Sequence, residues 1–138
     1  AGARSGSRVE VLDPRTGFPT RSSATFNGST PQVVGLLAAG AWINGLTPTG
    51  GPARLDLNTL NATATVGRFP LAAQVFDGVV VVSGRGTARC VDPLTGRTLA
   101  KLPNLVAAEG STAYVQRDRD GIHEIHRETL DPRCRAAP

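Results

Sequence analysis

The segments DPLTG at residues 92–96 and DPRTG at residues 13–17 are two copies of one turn, and they decide the fold. In this pattern the Asp side chain can accept hydrogen bonds from backbone N–H groups two residues on. Pro presets φ, and the closing Gly tolerates a left-handed conformation. Weaker copies begin at Asp56 and Asp131, so the four turns are spaced by 43, 36 and 39 residues. Such spacing predicts a repeat protein.

The composition of the chain also indicates β structure. Its 138 residues include 16 Gly and 10 Pro, with one Trp, one Tyr and four Phe. This balance is typical of short strands joined by turns. Asp77-Gly78 and Asp120-Gly121 are typical of tight hairpins, because Asp and Gly tolerate positive φ. Each full unit between Asp turns then divides into four short strands, which predicts an all-β fold.

Four strands in a repeat of roughly 40 residues are typical of one β-propeller blade. The units predicted are the last two strands of a partial blade (1–30), two complete blades (31–70 and 71–104), and three strands with a C-terminal tail (105–138). This total of about thirteen strands, or about three blades, is an incomplete ring, because propellers close with roughly 4 to 8 blades. The alternative is a small β-sandwich in which the repeat is an accident of turn chemistry.

The repeat resembles the blades of the PQQ-like (quinoprotein alcohol dehydrogenase-like) superfamily, whose motif runs Ala-x-Asp-x-x-Thr-Gly-Lys-x-x-Trp. Two turns match its Asp, Thr and Gly: Asp92, Thr95, Gly96, Asp13, Thr16 and Gly17. The closing Trp, which docks one blade on the next in that family, is absent. The residues in its place are Arg21, Ala64 and Ala100. The resemblance implies a propeller, and the missing Trp weakens any expectation of a bound cofactor.

Two packing predictions follow from the repeat. The apolar residue before each Asp is expected to hold a buried position on the third strand of its unit; these residues are Leu12, Leu55, Val91 and Leu130. Trp42 and Tyr114 occupy similar places on the second strands of their units. We expect both aromatic rings to pack between blades.

The two cysteines, Cys90 and Cys134, can form one disulfide in an oxidising compartment or stay reduced in a cytosolic protein. Their spacing excludes a Cys-x-x-Cys redox or zinc motif. The chain contains no Met and begins AGARSGSR, so we expect it to be a trimmed product of a longer polypeptide. It has no run of about 18 apolar residues that could span a membrane. These features favour a secreted or cell-surface protein, and the Arg-, Ala- and Gly-rich composition is typical of a GC-rich genome.

The densest polar cluster is DRDGIHEIHRE, residues 118–128, which holds both histidines of the chain. On a strand His123 and His126 point to opposite faces, whereas Glu124, His126 and Glu128 share one face. Two carboxylates and one imidazole are a candidate metal-ligand set. The alternative, which is favoured because the outer strands of a blade are ordinarily polar, is a hairpin turn followed by a solvated strand. No metal, cofactor or catalytic set of acid, base and nucleophile is predicted.

The formal net charge of +4 comes from 15 basic and 11 acidic residues. Nucleic-acid binding is not predicted, because the arginines are scattered and are not interleaved with aromatic residues. The predicted function is that of a non-catalytic, extracytoplasmic propeller segment, a binding or scaffold module in a protein assembly. Its partner would be the remainder of a larger propeller or a second copy of the chain.

The alternative function is that of a segment of a propeller enzyme, such as a quinoprotein-like oxidoreductase, a lyase or a cyclotransferase. Its site would lie at the centre of the ring, where the innermost strands of the blades meet. Gln74 and Glu109 are the polar candidates on these strands.

Overall fold

The computed structural model describes residues 8–23, 31–46, 51–66, 72–84 and 86–135. This part of the chain is all-β, as predicted, and contains one short 3-10 helix at Pro132–Arg135. Its thirteen strands are β1 (Glu10–Leu12), β2 (Pro19–Ser22), β3 (Gln32–Leu37), β4 (Gly40–Asn44), β5 (Ala53–Leu55), β6 (Ala62–Thr65), β7 (Ala72–Phe76), β8 (Val79–Gly84), β9 (Thr87–Val91), β10 (Thr98–Lys101), β11 (Leu105–Glu109), β12 (Thr112–Arg119) and β13 (Ile122–Thr129).

The strands form four antiparallel sheets in which each strand pairs with its neighbours along the chain. Sheet I contains β1–β2, sheet II β3–β6, sheet III β7–β10 and sheet IV β11–β13. Four sheets differ from the two packed sheets of the sandwich alternative. The hairpin prediction is confirmed at Asp77-Gly78 and Asp120-Gly121, where all four residues have positive φ.

The sheets pack face to face in chain order through three apolar clusters. The run VVVV in β8 shows how sheet III is buried on both faces. Val80 and Val82 pack in the cluster shared with sheet II, whereas Val79 and Val81 pack in the cluster shared with sheet IV. A strand covered on both faces needs apolar residues at successive positions, and this explains the unbroken run of valines.

We call the face of each sheet that is turned toward the next sheet along the chain its forward face, and the other its backward face. Leu55, Val91 and Leu130 lie on backward faces and are buried against the preceding sheet. Leu12 holds the same position in sheet I but is 52% exposed. The prediction of burial is therefore wrong for Leu12, because no sheet in the described part of the chain covers the backward face of sheet I.

The first strands of sheets II, III and IV lie beside one another, with β7 in contact with both β3 and β11. At Gly35 in β3, an added Cβ atom would lie only 2.5 Å from Cγ2 of Val75 in β7. A side chain at this position would therefore push the two strands apart. Glycine allows the first strands of the two sheets to approach closely.

Cys90 in β9 and Cys134 in the 3-10 helix form a disulfide, with their Cα atoms 5.6 Å apart. The two residues are separated by 44 positions, and the loop between them includes all of sheet IV. Both cysteines are buried in the apolar cluster between sheets III and IV. The bridge therefore ties the chain after sheet IV back to the third strand of sheet III.

Removing this bridge is expected to destabilise the chain by about 2–4 kcal/mol, because an open chain of this length gains entropy in the unfolded state. The test is urea unfolding of the oxidised protein, of the reduced protein and of a Cys90→Ser/Cys134→Ser variant. Reduced protein and variant should lose similar stability. Unchanged unfolding midpoints in both would contradict this role for the disulfide.

Candidate functional site

The long β12–β13 hairpin carries the polar cluster that the sequence singled out. On one face Asp118 lies opposite His123, and His123 Nδ1 lies 2.5 Å from Asp118 Oδ1. Gln116 Nε2 donates a second hydrogen bond to the same carboxylate oxygen over 3.1 Å. These hydrogen bonds, that of His123 first, lower the pKa of Asp118 below its usual value of 3.8. Both members of the pair are exposed.

Glu124, His126 and Glu128, the candidate metal ligands, alternate along β13 and lie on its other face. Arginines of β12 neutralise both carboxylates. Arg117 pairs with Glu128, and Arg119 Nη2 lies 3.5 Å from Glu124 Oε2. Guanidinium groups in these places oppose a bound cation. Within the described ranges, no three His, Cys, Asp or Glu residues are grouped to hold a metal ion.

An open groove of about 710 Å³ lies along this face of the hairpin. Its floor and walls include Asn104, Leu105, Arg117, Arg119, Glu124 and His126. His126 Nε2 is 3.6 Å from Glu124 Oε1, too long for a hydrogen bond. None of the lining residues is a Ser, Cys or Lys that could serve as a nucleophile. Arg117, Arg119 and Glu124 in the lining are engaged in ion pairs with residues of the same hairpin.

Gln74 in β7 and Glu109 in β11, the polar candidates of the enzyme alternative, are both exposed. The structure places them on neighbouring first strands. Within the described part of the chain, neither side chain makes a hydrogen bond or an ion pair with another residue. These two positions lack the hydrogen-bonded partners that orient a general acid or base.

The Asp turns of sheets I, II and III share one geometry. In each, Asp Oδ1 accepts a hydrogen bond from the backbone N–H two residues on, over 2.8 Å at Asp13, 2.7 Å at Asp56 and 2.8 Å at Asp92. The Asp carbonyl accepts from the fifth residue of the turn. That fifth residue is left-handed in all three turns: Gly17 at φ 74°, Leu60 at φ 58° and Gly96 at φ 77°. The turn keeps its shape even where Leu replaces Gly.

The fourth turn departs from this geometry. Asp131 Oδ1 accepts from Arg133 N over 3.0 Å, and the chain then continues as the 3-10 helix that contains Cys134. Arg133 also donates from its guanidinium to Asp131. These hydrogen bonds lower the pKa of Asp131 and raise that of Arg133. The fourth turn is therefore held by a charged pair and a disulfide rather than by a left-handed fifth residue.

The forward face of sheet II binds the Asp turn of sheet III. Trp42 is fully buried, and its indole Nε1 donates to the carbonyl oxygen of Pro93 over 2.9 Å. Beside it, Arg54 Nε donates to the carbonyl oxygen of Leu94 over 3.1 Å. The prediction that Trp42 packs between repeat units is borne out. Asn44 adds two hydrogen bonds to the backbone of Ala73 at the same junction.

The other two junctions bind the following Asp turn by different chemistry. Between sheets I and II, Arg21 Nη1 donates to the carbonyl oxygen of Asn58 over 2.7 Å. Arg21 stands where the motif of the resembled family has its docking Trp. Between sheets III and IV, Cys90 is bonded to Cys134, the fourth residue of the last Asp turn. Sequence patterns gave no sign of the roles of Arg21 and Arg54, since both resemble solvated strand arginines.

Two surfaces at the ends of this series of sheets have no sheet packed against them in the described part of the chain. We call the first the turn end: the Asp13–Gly17 turn with Leu12 on the backward face of sheet I. Gly17 is exposed, whereas Leu60 and Gly96, its counterparts in sheets II and III, are buried.

We call the second surface the face end: Tyr114, Ile125 and Arg127 on the forward face of sheet IV. Tyr114 is half-buried, Ile125 is 57% exposed and Arg127 is exposed. Tyr114 therefore does not pack between two described sheets, and the packing prediction holds for Trp42 alone. The turn end and the face end are the candidate functional surfaces.

Comparison of the chain with known protein families, with curated proteins and with solved structures gives no match. In the ranges that the structure describes, no helix has the length and apolar character of a membrane span.

The turn hydrogen bonds should make stability depend on the ionisation of Asp56. The backbone N–H groups of Thr59 and Asn58, in that order, lower its pKa below 3.8, and the charges of Arg54 and Arg21 act in the same direction. The stabilisation is therefore complete above pH 3.8 and is lost as the pH falls through the lowered pKa. Asp56→Asn keeps an acceptor oxygen but cannot titrate, so its melting temperature should fall less steeply than that of wild type between about pH 4 and pH 2. Melting temperatures that fall equally steeply with pH in wild type and in Asp56→Asn would refute this.

Proposed function

We propose that this chain is a non-catalytic segment of a β-propeller that acts as a binding or scaffold module in a protein assembly. The observation that carries the proposal is the repeated junction, in which the forward face of one sheet binds the Asp turn of the next. The turn end and the face end would continue the same series of contacts in both directions. A protein partner that supplies a further sheet would cover them.

The arrangement of the charged groups supports a binding role. Three carboxylates of the hairpin, Asp118, Glu124 and Glu128, are engaged with His123 or with arginines, and this leaves a surface of paired charges rather than a reactive pair. Exposed apolar side chains lie at both ends of the sheet series, with Leu12 at one end and Ile125 at the other. Exposed apolar residues rimmed by polar groups are typical of protein contact surfaces.

An extracytoplasmic location is part of the proposal, and the disulfide between Cys90 and Cys134 supports it. Such bridges persist in secreted and cell-surface proteins, whereas reducing conditions in the cytosol keep most thiols free. A buried bridge that joins two sheets is a structural element and requires an oxidising compartment to form.

The proposal is tested by sedimentation equilibrium of the purified, oxidised chain over a wide range of concentrations, with circular dichroism and thermal unfolding in parallel. We expect the chain to associate, because its two ends expose backbone and apolar groups that a further sheet would cover. A chain that remains a monomer at all concentrations, and unfolds in one cooperative transition, would contradict a role in an assembly.

The second candidate is the segment of a propeller enzyme, and the exposed Gln74 and Glu109 on adjacent first strands favour it. The two candidates differ in what the purified protein should carry. Under the scaffold proposal, absorbance spectra of the wild type and of Gln74→Ala/Glu109→Ala show no quinone, and elemental analysis shows no stoichiometric metal in either protein. A bound quinone or metal that this double variant releases would decide for the enzyme.

A further inference from the structure

We infer that the partner at both ends is a second copy of this chain, docked head to tail. The Asp13–Gly17 turn of one copy binds the forward face of sheet IV of the other, at Tyr114 and Arg127. This inference rests on the proposed function, whose partner and contact surfaces it names.

The face end repeats the residue pair with which sheet II binds a turn. In sheet II the third residue of the second strand, Trp42, pairs across the sheet with Arg54 of the third strand. In sheet IV the third residue of the second strand, Tyr114, pairs with Arg127. Each pair joins an aromatic ring to a guanidinium on a forward face. In sheet II this combination binds two backbone carbonyls of the following turn.

The two pairs differ in what covers them. Trp42 is fully buried and Arg54 is 7% exposed, because sheet III lies against them. Arg127 is exposed, and in the described ranges it makes no hydrogen bond or ion pair. A guanidinium offers five N–H donors. Arg127 can therefore donate hydrogen bonds to the carbonyl oxygens of a docked turn, as Arg54 does in sheet II.

The same place in sheet III is also used to hold a turn. There the third residue of the second strand, Val81, pairs with Cys90, which is bonded to Cys134 of the last Asp turn. Arg127 lies four residues before its Asp turn, whereas Cys90 lies two before, and this even offset keeps both on the same face of a strand. In sheets II and III, therefore, the third-strand residue at this place binds the following turn.

The turn end carries an exposed Asp turn, which is the element that the forward faces of sheets II and III bind. The Asp13 turn has the same hydrogen bonds to its Asp Oδ1 from the residue two on, and to its Asp carbonyl from the fifth residue, as the Asp92 turn, which sheet II binds through the carbonyls of its second and third residues. The corresponding residues, Pro14 and Arg15, are exposed. Leu12 is 52% exposed at the position where the other sheets bury an apolar residue against the preceding sheet.

The two ends also carry complementary groups. Ile125, 57% exposed, shares the forward face of sheet IV with Tyr114 and offers Leu12 an apolar partner. By register, the carboxylates of Glu109 and Asp118 lie on this face too, whereas the turn carries Arg15. Contact between two different surfaces is heterologous, so successive copies either close into a ring or extend as a filament.

A complementation experiment tests this arrangement. Leu12→Asp places a charge on the turn end, and Arg127→Glu reverses the charge of the face end. Both side chains are exposed, so both variants should fold, as circular dichroism will verify. Each variant alone should associate at least about tenfold more weakly than wild type, the scale of losing one central contact. An equimolar mixture should form a dimer and grow no further. The Leu12→Asp variant keeps an intact face end and the Arg127→Glu variant keeps an intact turn end, so only these two ends can bind each other.

The control is Arg97→Glu, which makes the same charge reversal on an exposed arginine between the Asp92 turn and β10, away from the turn end and the face end. It should associate as wild type does in the same sedimentation-velocity series. Wild-type association that neither Leu12→Asp nor Arg127→Glu weakens would overturn the inference and leave the proposed function standing, because copies would then meet elsewhere. A stable dimer of either variant alone would also overturn it. A wild-type chain that stays monomeric contradicts the inference together with the proposed assembly.

Discussion

The structure depends on the hydrogen bonding of the Asp turn. The Asp carboxylate and carbonyl accept from backbone N–H groups within the turn, which fixes its shape locally. The carbonyls of the second and third residues then point outward and need donors from elsewhere, because backbone acceptors that leave water must be satisfied. Trp42 and Arg54 provide these donors from the preceding sheet. The hydrogen bonding within the turn thus leaves two carbonyl oxygens whose donors must come from a neighbouring sheet.

The chain holds the Asp turns against the preceding sheets in three ways. Arg21 binds the turn of sheet II, Trp42 with Arg54 binds that of sheet III, and a disulfide holds that of sheet IV. The requirement is a donor or a covalent link on the forward face, not a particular residue at a particular position. The absence of a Trp at the position of Arg21 is therefore compatible with ordered packing of the sheets.

The proposed function depends on the two ends of the sheet series. A central sheet such as sheet III has both faces covered, and the first four residues of its second strand are all valine. Sheets I and IV each have one face without a covering sheet in the described part of the chain, and there Leu12 and Ile125 are exposed. The polar hairpin of sheet IV, by contrast, is occupied by its own ion pairs. Chemistry at this site is consequently less well supported than contact with another protein surface.

The sequence alone determined the features that follow from local rules. Asp-Pro-x-Thr-Gly specifies its own turn, and Asp-Gly specifies a hairpin. It also placed Glu124, His126 and Glu128 on one strand face by simple alternation. These rules involve residues a few positions apart, so no knowledge of the packing was needed.

Only the tertiary structure decided which side chains meet across the junctions. Arg54 lies 40 residues from Leu94 and Trp42 lies 51 from Pro93. The sequence predicted that Trp42 packs between units, but it did not indicate which carbonyl oxygen the indole binds or that Arg54 acts beside it. The register of β12 against β13 set arginines beside the candidate metal ligands. The exposure of Leu12, in a repeat position that is otherwise buried, likewise depends on which sheets are present. Burial and pairing are properties of neighbours in space, and the linear pattern does not contain them.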